Sequence, residues 1–533
     1  MRGADYVVVG SGSSGSIVAR RLADAGASVI LIEAGRRDNI QLVRKPGMIG
    51  PMHSVPQLKA KVDWGHYTVE QKHALGRRIP QTHGKVLGGS SSINGMVFVR
   101  GNRKNFDDWA AAGNTGWSYA DVLPSFRKFE SFEDGGNDYR GGNGPIKVTR
   151  ARELTPASEC FIEALSVTAG LKKNEDYNAA EQDGVSIFQQ SNAGGLRYST
   201  AVGYLDGAPA NLGVLPRTQV ARVVVENGRA TGVEILTRNG RELIRAEREV
   251  IVSGGVFGSP HLLMLSGIGP AEHLRAFGIG VVADLPVGDN LHDHMFVPMS
   301  FAMPTALRKP SPLYFGRAFM QENLRGDSTW LARSVFEVVA FARTRHAAQI
   351  PDLQLHVLPW SYPSPNQDAP IRHKPDPRRA LTIMSTLIYP KSRGTFRLTS
   401  DDPPAAPAID PNYLDEQHDI DVLVDGMELI RETMANTAIC DGVEVEIAPG
   451  TQHATRADLA KEVLNRATTV YHPVGTCRMG VDEQAVVDPQ LRVRGVAALR
   501  VVDASIMPSI VGGNTNAASM MIGEHAASMM LAG

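Results

Sequence analysis

Cysteine is nearly absent: Cys160, Cys440 and Cys477 are the only three in 533 residues. An odd, widely spaced set of thiols argues against a disulfide framework, a zinc site or an iron–sulfur cluster, and it fits a reducing compartment. No metal site is therefore expected. Long apolar runs are missing too, since no stretch approaches the roughly 18 residues that a membrane-crossing helix needs. Charge of one sign is also lacking, because 55 basic residues face 56 acidic ones for a net charge of -1. That balance gives no electrostatic footing for nucleic acid or an anionic membrane surface. The chain enters an apolar strand by Tyr6, leaving no room ahead of it for an export signal. Together these absences predict a cytoplasmic protein with no nucleic-acid partner and no membrane span. Internal repeats and low-complexity tracts are likewise not found.

What is present begins at once. Tyr6-Val7-Val8-Val9 runs into GSGSSG at positions 10–15, followed by a helical stretch, a second apolar strand at 28–32 and Glu33. Gly10 permits a tight turn, Gly12 lets a pyrophosphate approach the backbone, and Gly15 lets helix and strand pack closely. Ser13 and Ser14 sit where the helix N-terminus offers free amides and the positive end of its dipole to an anion. Glu33 and the following Ala34 end the second strand, where a carboxylate accepts hydrogen bonds from a ribose hydroxyl and disfavours a 2'-phosphate. The unit predicts binding of NAD or FAD, and leaves the choice between them open.

At this length two or three domains are expected. Residues 36–80 show no sustained period, and a segment so long without regular structure usually covers something. A Gly-rich stretch, GKVLGGSSSINGMVFVRG, follows at 84–101. Alternating apolar residues predict strands at 215–225 and 230–236, joined by the turn Glu226-Asn227-Gly228 into a hairpin. Val250-Ile251-Val252 ends in glycines and leads into a helix at 259–266. Pro-rich texture between 300 and 465 carries strand candidates at 352–358, 380–388 and 394–398, and a long amphipathic helix at 418–434. The tail returns to small residues, with a strand at 499–502 and a helix from Asn516 to Met530.

Four separated motifs then share one resemblance. GSGSSG with Glu33-Ala34-Gly35, GKVLGGSSSIN, GVFGSPHLLMLSGIG at 255–269, and the C-terminal set YHPVGTCRMG, VVDASIMP and GGNTNAASMMIGE resemble, in order and along the whole chain, the glucose-methanol-choline (GMC) flavin oxidoreductases. Val256 stands where that family usually has a small residue. The resemblance implies an α/β fold in which a Rossmann-like FAD-binding domain is joined to a discontinuous α+β substrate-binding domain with an antiparallel sheet. It places residues 1–150, 212–298 and 466–533 in the first, and 151–211 and 299–465 in the second. It implies FAD, with Gly10, Gly12, Ser13, Ser14, Gly15, Glu33 and Ala34 at pyrophosphate and ribose, and Trp64 and Val220 near adenine. Val86, Ser90, Asn94, Gly95, Met96 and Val97 are implied to pass beneath the flavin, with Tyr471, Asp503, Ala504 and Asn516 closing the site. Some relatives attach flavin through a histidine four residues before the lysine of GKV. Gln81 occupies that position here, so noncovalent FAD is implied, with His83 as the other candidate for attachment.

Oxidising an alcohol at a flavin requires that the hydroxyl lose a proton while the carbon gives up a hydride. A histidine suits the first task and an amide can donate to the developing oxyanion. His472, in YHPVGT, and Asn514 match the family's catalytic pair, and asparagine at 514 resembles the choline-type branch. The expected activity is oxidation of a primary alcohol to an aldehyde, with oxygen or a quinone-like acceptor as the final oxidant. A flavin-containing lyase or photoenzyme, and a redox-silent binding protein, are the alternatives on the same scaffold. His292 and His294 are read as loop-capping residues, not metal ligands. Phe336, Trp360, Tyr362 and Tyr471 are candidate pocket aromatics, and Glu322 and Glu337 the carboxylates nearest in sequence to such aromatics, as a choline substrate would need.

Overall fold

The computed structural model describes residues 2–307, 311–325, 330–362, 376–436, 439–440 and 442–532. Two seven-stranded sheets organise these residues. In the first, Leu212–Leu215, Val29–Ile32, Arg2–Val9, Gly240–Val252 and Leu499–Val501 lie side by side and parallel. Helices cover its faces, so Val7, Val8 and Leu31 are wholly buried and the strands read as continuous apolar runs. The 13-residue strand Gly240–Val252 does double duty. Its first half pairs antiparallel with Arg229–Thr237, and its last residues pair parallel with Leu499–Val501.

The strand expected over 215–225 is two strands. Leu212–Leu215 extends the parallel sheet beside Val29–Ile32, and Val220–Glu226 forms the hairpin with Arg229–Thr237. Pro216 has no amide hydrogen for a ladder, and Arg217 takes a left-handed φ of 55°, so the chain turns between them. At the hairpin tip Asn227 and Gly228 both have positive φ, the pattern that matches strand twist in a two-residue turn.

The second sheet is antiparallel throughout, in the order Val445–Ala448, Met295–Ala302, Ala380–Leu387, Leu353–Leu358, Val338–Ala342 and Gly184–Ile187, with Thr468–Thr469 also on Met295–Ala302. The strand Met295–Ala302 lies wholly in this sheet, so the boundary expected at 298/299 falls inside it. Alternation divides the sheet cleanly. Met295, Val297, Leu353, Leu355, Leu381 and Ile383 point to one face, where Gln417–Met434 packs on them. A Cβ on Gly426 of that helix would stand 2.1 Å from Ser385 Oγ, so only glycine allows this approach. The opposite face carries Gln354, His356, Leu358, Phe296 and Met384 and looks toward the first sheet.

Cys160 and Cys440 are joined by a disulfide, with 5.4 Å between their Cα atoms, and only Cys477 is free. The expectation that the thiols stand apart is thereby corrected for this pair. Sequence spacing concealed it, because the helix Pro156–Thr168 and the residues after Gln417–Met434 meet only in the folded domain. No helix among the described residues is long and apolar enough to cross a membrane.

Candidate active site

A cavity of about 1300 Å³ runs between the sheets, from the turn after the first strand to the polar end of the antiparallel sheet. The glycines at its first end are fixed by contact. Gly10 has φ 98°, and a Cβ there would lie 2.2 Å from Ser253 O; one on Gly15 would lie 2.0 Å from Gly10 O. Gly12 has open space where its Cβ would stand, and its backbone borders the cavity. Ser13 and Ser14 also face the cavity, at the start of the helix Gly15–Asp24. Their hydroxyls reach the tail: Ser13 donates to Asn516 Oδ1 at 2.7 Å, and Ser14 to Ser519 O at 2.6 Å.

Glu33 is buried at the edge of this end. Its carboxylate accepts from Ser11 N and Oγ and from Gly35 N, while burial pushes its pKa up. Ala34 and Val220 lie beside it on the wall. Trp64 borders the cavity while 37% exposed, with the Lys85 ammonium 4.2 Å from its ring centre. Asp503 holds the far side of the turn. Its oxygens accept from Ser259 Oγ, Gly255 N and Ser505 N, and Ala504 lines the cavity next to it.

The GKVLGGSSSIN loop folds onto the first turn. Gly88 N donates to Ser11 O, and a Cβ on Gly89 would be 2.8 Å from Gly12 Cα. Ser90, Asn94, Gly95 and Val97 face the cavity. Val86 and Met96 are buried behind that surface, as is Gly15. Met96 takes φ 62° and donates its amide to Asn94 Oδ1. Beneath the loop the buried Arg197 donates to Asn94 O and Oδ1, and burial lowers its pKa to about 9. No local motif marked Arg197, because its role exists only once two distant loops meet.

At the other end His472 and Asn514 come together, with Asn514 Nδ2 and His472 Nε2 3.1 Å apart. The second imidazole nitrogen, Nδ1, is 3.1 Å from His294 Nδ1, and His294 Nε2 is 2.9 Å from the Ile388 carbonyl. A carbonyl only accepts, so His294 carries its hydrogen on Nε2. Burial pushes its pKa down to about 3 and keeps it neutral. Its Nδ1 is then an acceptor, which requires the hydrogen of His472 on Nδ1 and leaves a lone pair on Nε2, facing Asn514 and the cavity. Burial, reinforced by His294 and His356, holds the His472 pKa well below the ordinary value. Asn514 is oriented in turn by Gln354, whose Nε2 donates to its Oδ1 at 3.2 Å. The main chain of His472 is anchored through its amide to Asp293, which also accepts from Tyr413 and Thr469 hydroxyls and is pushed up to about 6 by burial. Tyr471 precedes it at φ 66° and lines the cavity.

His294 is thus no loop cap; it sets the tautomer of His472. His292 keeps its role within the loop, with Nδ1 2.6 Å from Asn290 O. His356, Gln354 and Arg197 are site residues that the motifs did not reveal. The first two follow from period-two alternation along Leu353–Leu358, once one face of that strand is known to be the cavity face. Phe336, Trp360, Tyr362 and Tyr471 all reach the cavity wall. Glu337 turns away, accepting from Thr155 N and Oγ1, and the side chain of Glu322 lies outside the described residues. His83 lines the cavity with its ring 4.5 Å from Phe257, while Gln81 is fully buried and donates to Tyr413. Among the described residues no group of three or more His, Cys, Asp or Glu is placed to hold a metal.

A parallel sheet with a glycine turn at its strand ends, an acidic residue closing the second strand and a long cavity leading to a histidine paired with an asparagine define a dinucleotide-binding α/β enzyme. The GMC oxidoreductase pattern matches residues 4–296 and 390–523, so the chain belongs to that family. It is 40% identical over 540 residues to the oxygen-dependent choline dehydrogenase of Rhizobium johnstonii, covering 99% of this chain and 95% of that one. The pyridoxine 4-oxidase of "Mesorbium loti" superposes with a TM-score of 0.87 at 30% identity, over 99% of each chain. A formate oxidase does so at 0.88 and 28% identity, over 100% of this chain and 98% of the other. The protein is therefore an FAD-dependent oxidoreductase acting on CH–OH donors. The glycine cradle, the cavity length and the buried acid fit FAD.

Proposed function

We propose that the protein oxidises a primary alcohol to an aldehyde, with His472 Nε2 taking the hydroxyl proton and Asn514 Nδ2 donating a hydrogen bond to the resulting alkoxide. The observation that carries this reading is the chain Ile388 O, His294, His472, which leaves the Nε2 lone pair directed at the cavity. A base held neutral and in one tautomer needs no rearrangement before it acts. FAD, held noncovalently by the glycine turn and the loop at 84–97, supplies the hydride acceptor at N5. Gln354 keeps the amide of Asn514 turned toward the base. The names of the relatives support oxygen as final oxidant, with a quinone-like acceptor as the alternative.

Anaerobic mixing of the FAD-loaded protein with a panel of primary alcohols should bleach the flavin absorbance. In His472→Ala the rate should fall about 10²- to 10⁴-fold with FAD content unchanged. Equal bleaching in the variant would remove His472 from the role of base. Absence of bleaching with every alcohol would refute the reading as a whole.

A further inference from the structure

We propose that the substrate is an uncharged, apolar primary alcohol, aryl or branched alkyl, and that choline is rejected; this rests on the alcohol-oxidising reading of the same site. The wall around His472 is built by the cavity face of the antiparallel sheet. Phe296, Leu358 and Met384, each 3–4% exposed, form one apolar cluster with Phe336, Tyr362 and Val470, and all of them line the cavity. Their sources are separate strands. Register places Phe296 beside Thr386, and Met384 beside His356, so the catalytic end and the apolar wall occupy neighbouring rows of one face. The hydroxyls that share this face are spoken for: Ser300 Oγ and Thr382 Oγ1 bond each other, and Thr386 faces His356 Nδ1. Phe336 is further fixed by Gly95, where a Cβ would stand 2.6 Å from its ring.

A quaternary cation in such a place needs a counter-charge. Among the described residues lining the cavity the only carboxylates are Glu33 and Asp503, and both are at the glycine-turn end, engaged by Ser11 and Gly35 or by Ser259 and Gly255. Glu337, adjacent in sequence to Phe336, is committed to Thr155. The other charged residues on the wall, Lys59, Arg77, Arg78 and Lys85, are cationic. Aromatic faces attract a cation, but alone they replace only part of the hydration that a desolvated ammonium loses. Proton transfer sharpens the distinction. With a neutral alcohol the imidazolium of His472 and the alkoxide compensate each other; with choline a third, positive charge meets no carboxylate among the described residues that line this end of the cavity. Apolar substituents meet no such cost, and their burial against Phe296, Leu358 and Met384 is favourable.

The test uses the FAD-loaded protein and three alcohols: choline, its uncharged isostere 3,3-dimethylbutan-1-ol, and benzyl alcohol. Under anaerobic conditions the second-order rate of flavin bleaching should be at least tenfold higher for the isostere than for choline, and higher again for benzyl alcohol. Because choline and its isostere share a shape, the ratio reports charge alone. Met384→Glu should move that ratio at least tenfold toward choline while depressing benzyl alcohol. Choline reacting as fast as its isostere, or faster, would overturn the inference and leave the alcohol-oxidising function standing. If neither alkyl alcohol nor benzyl alcohol bleaches the flavin, the functional reading fails and the inference with it.

Discussion

The two seven-stranded sheets present opposite solutions to the problem of holding a small molecule. The parallel sheet offers its edge: strand ends and glycine turns bring backbone to the cavity, and side chains are largely kept out by approaches such as Gly10 to Ser253. Its antiparallel counterpart offers a face, on which Gln354, His356, Leu358, Phe296 and Met384 converge from strands far apart in sequence. Backbone recognition tolerates little change because a Cβ has nowhere to go. Recognition by side chains is easily altered, since each position is one residue on a stable ladder. A shared cofactor with varied substrates follows naturally from that division.

The comparison sharpens most at the proposed catalytic pair. Asn514→Ala removes the amide that stands 3.1 Å from His472 Nε2, and kcat should fall about 10²- to 10³-fold while the FAD content of the purified protein stays unchanged. Retained kcat would place the oxyanion donor elsewhere. Gly10→Ala attacks the other sheet: a methyl forced to φ 98° against Ser253 O should cost more than about 2 kcal/mol of stability. Denaturant midpoint and bound FAD should drop together.

Acid should act on buried histidines around the whole cavity, since burial lowers His53, His66 and His261 to about 4 as it does His356. Burial pushes His292 and His294 down to about 3 and His356 to about 4, below the unfolded value near 6.5. The unfolded chain binds the extra protons, so the stability these residues contribute is complete above pH 6.5. It is lost as pH falls toward 4, by about 1.4 kcal/mol per pH unit for each. Asp293, pushed up to about 6 by burial, protonates first in the fold and offsets about one of the three over the same range. Thermal midpoints between pH 7 and 4.5 should therefore fall steadily; a flat profile would show that these histidines are charged in the fold. The smallest effect is expected from Gln354→Met, which frees the amide of Asn514 and should lower kcat about tenfold or less, with no change in stability beyond about 1 kcal/mol.

Much of this was legible in the order of residues. The glycine turn, the second strand and Glu33 are adjacent in sequence because they form one local unit, and strand alternation anticipated 353–358 and 380–387 to within a residue. The motif around His472 singled out one histidine of 15. Other features were hidden for a common reason. The strand expected over 215–225 runs across the break between Leu212–Leu215 and Val220–Glu226, because Leu215 and Val220 on its two edges are both apolar; only pairing with different neighbours separates them. His294 sat in a loop-like VGDNLHDH segment, and nothing local announced that its ring would meet His472 across 178 positions.

By itself, then, the sequence determined a dinucleotide site, since that depends on short-range backbone geometry, and the resemblance carried by its motifs implied FAD and the class of chemistry. Tertiary structure decided which nitrogen of His472 turns a lone pair toward the cavity, how Asn514 is turned, which disulfide closes, and what sort of wall lines the cavity. Each of these depends on contacts between residues dozens to hundreds of positions apart, whose distances are set only when the two sheets close on one cavity.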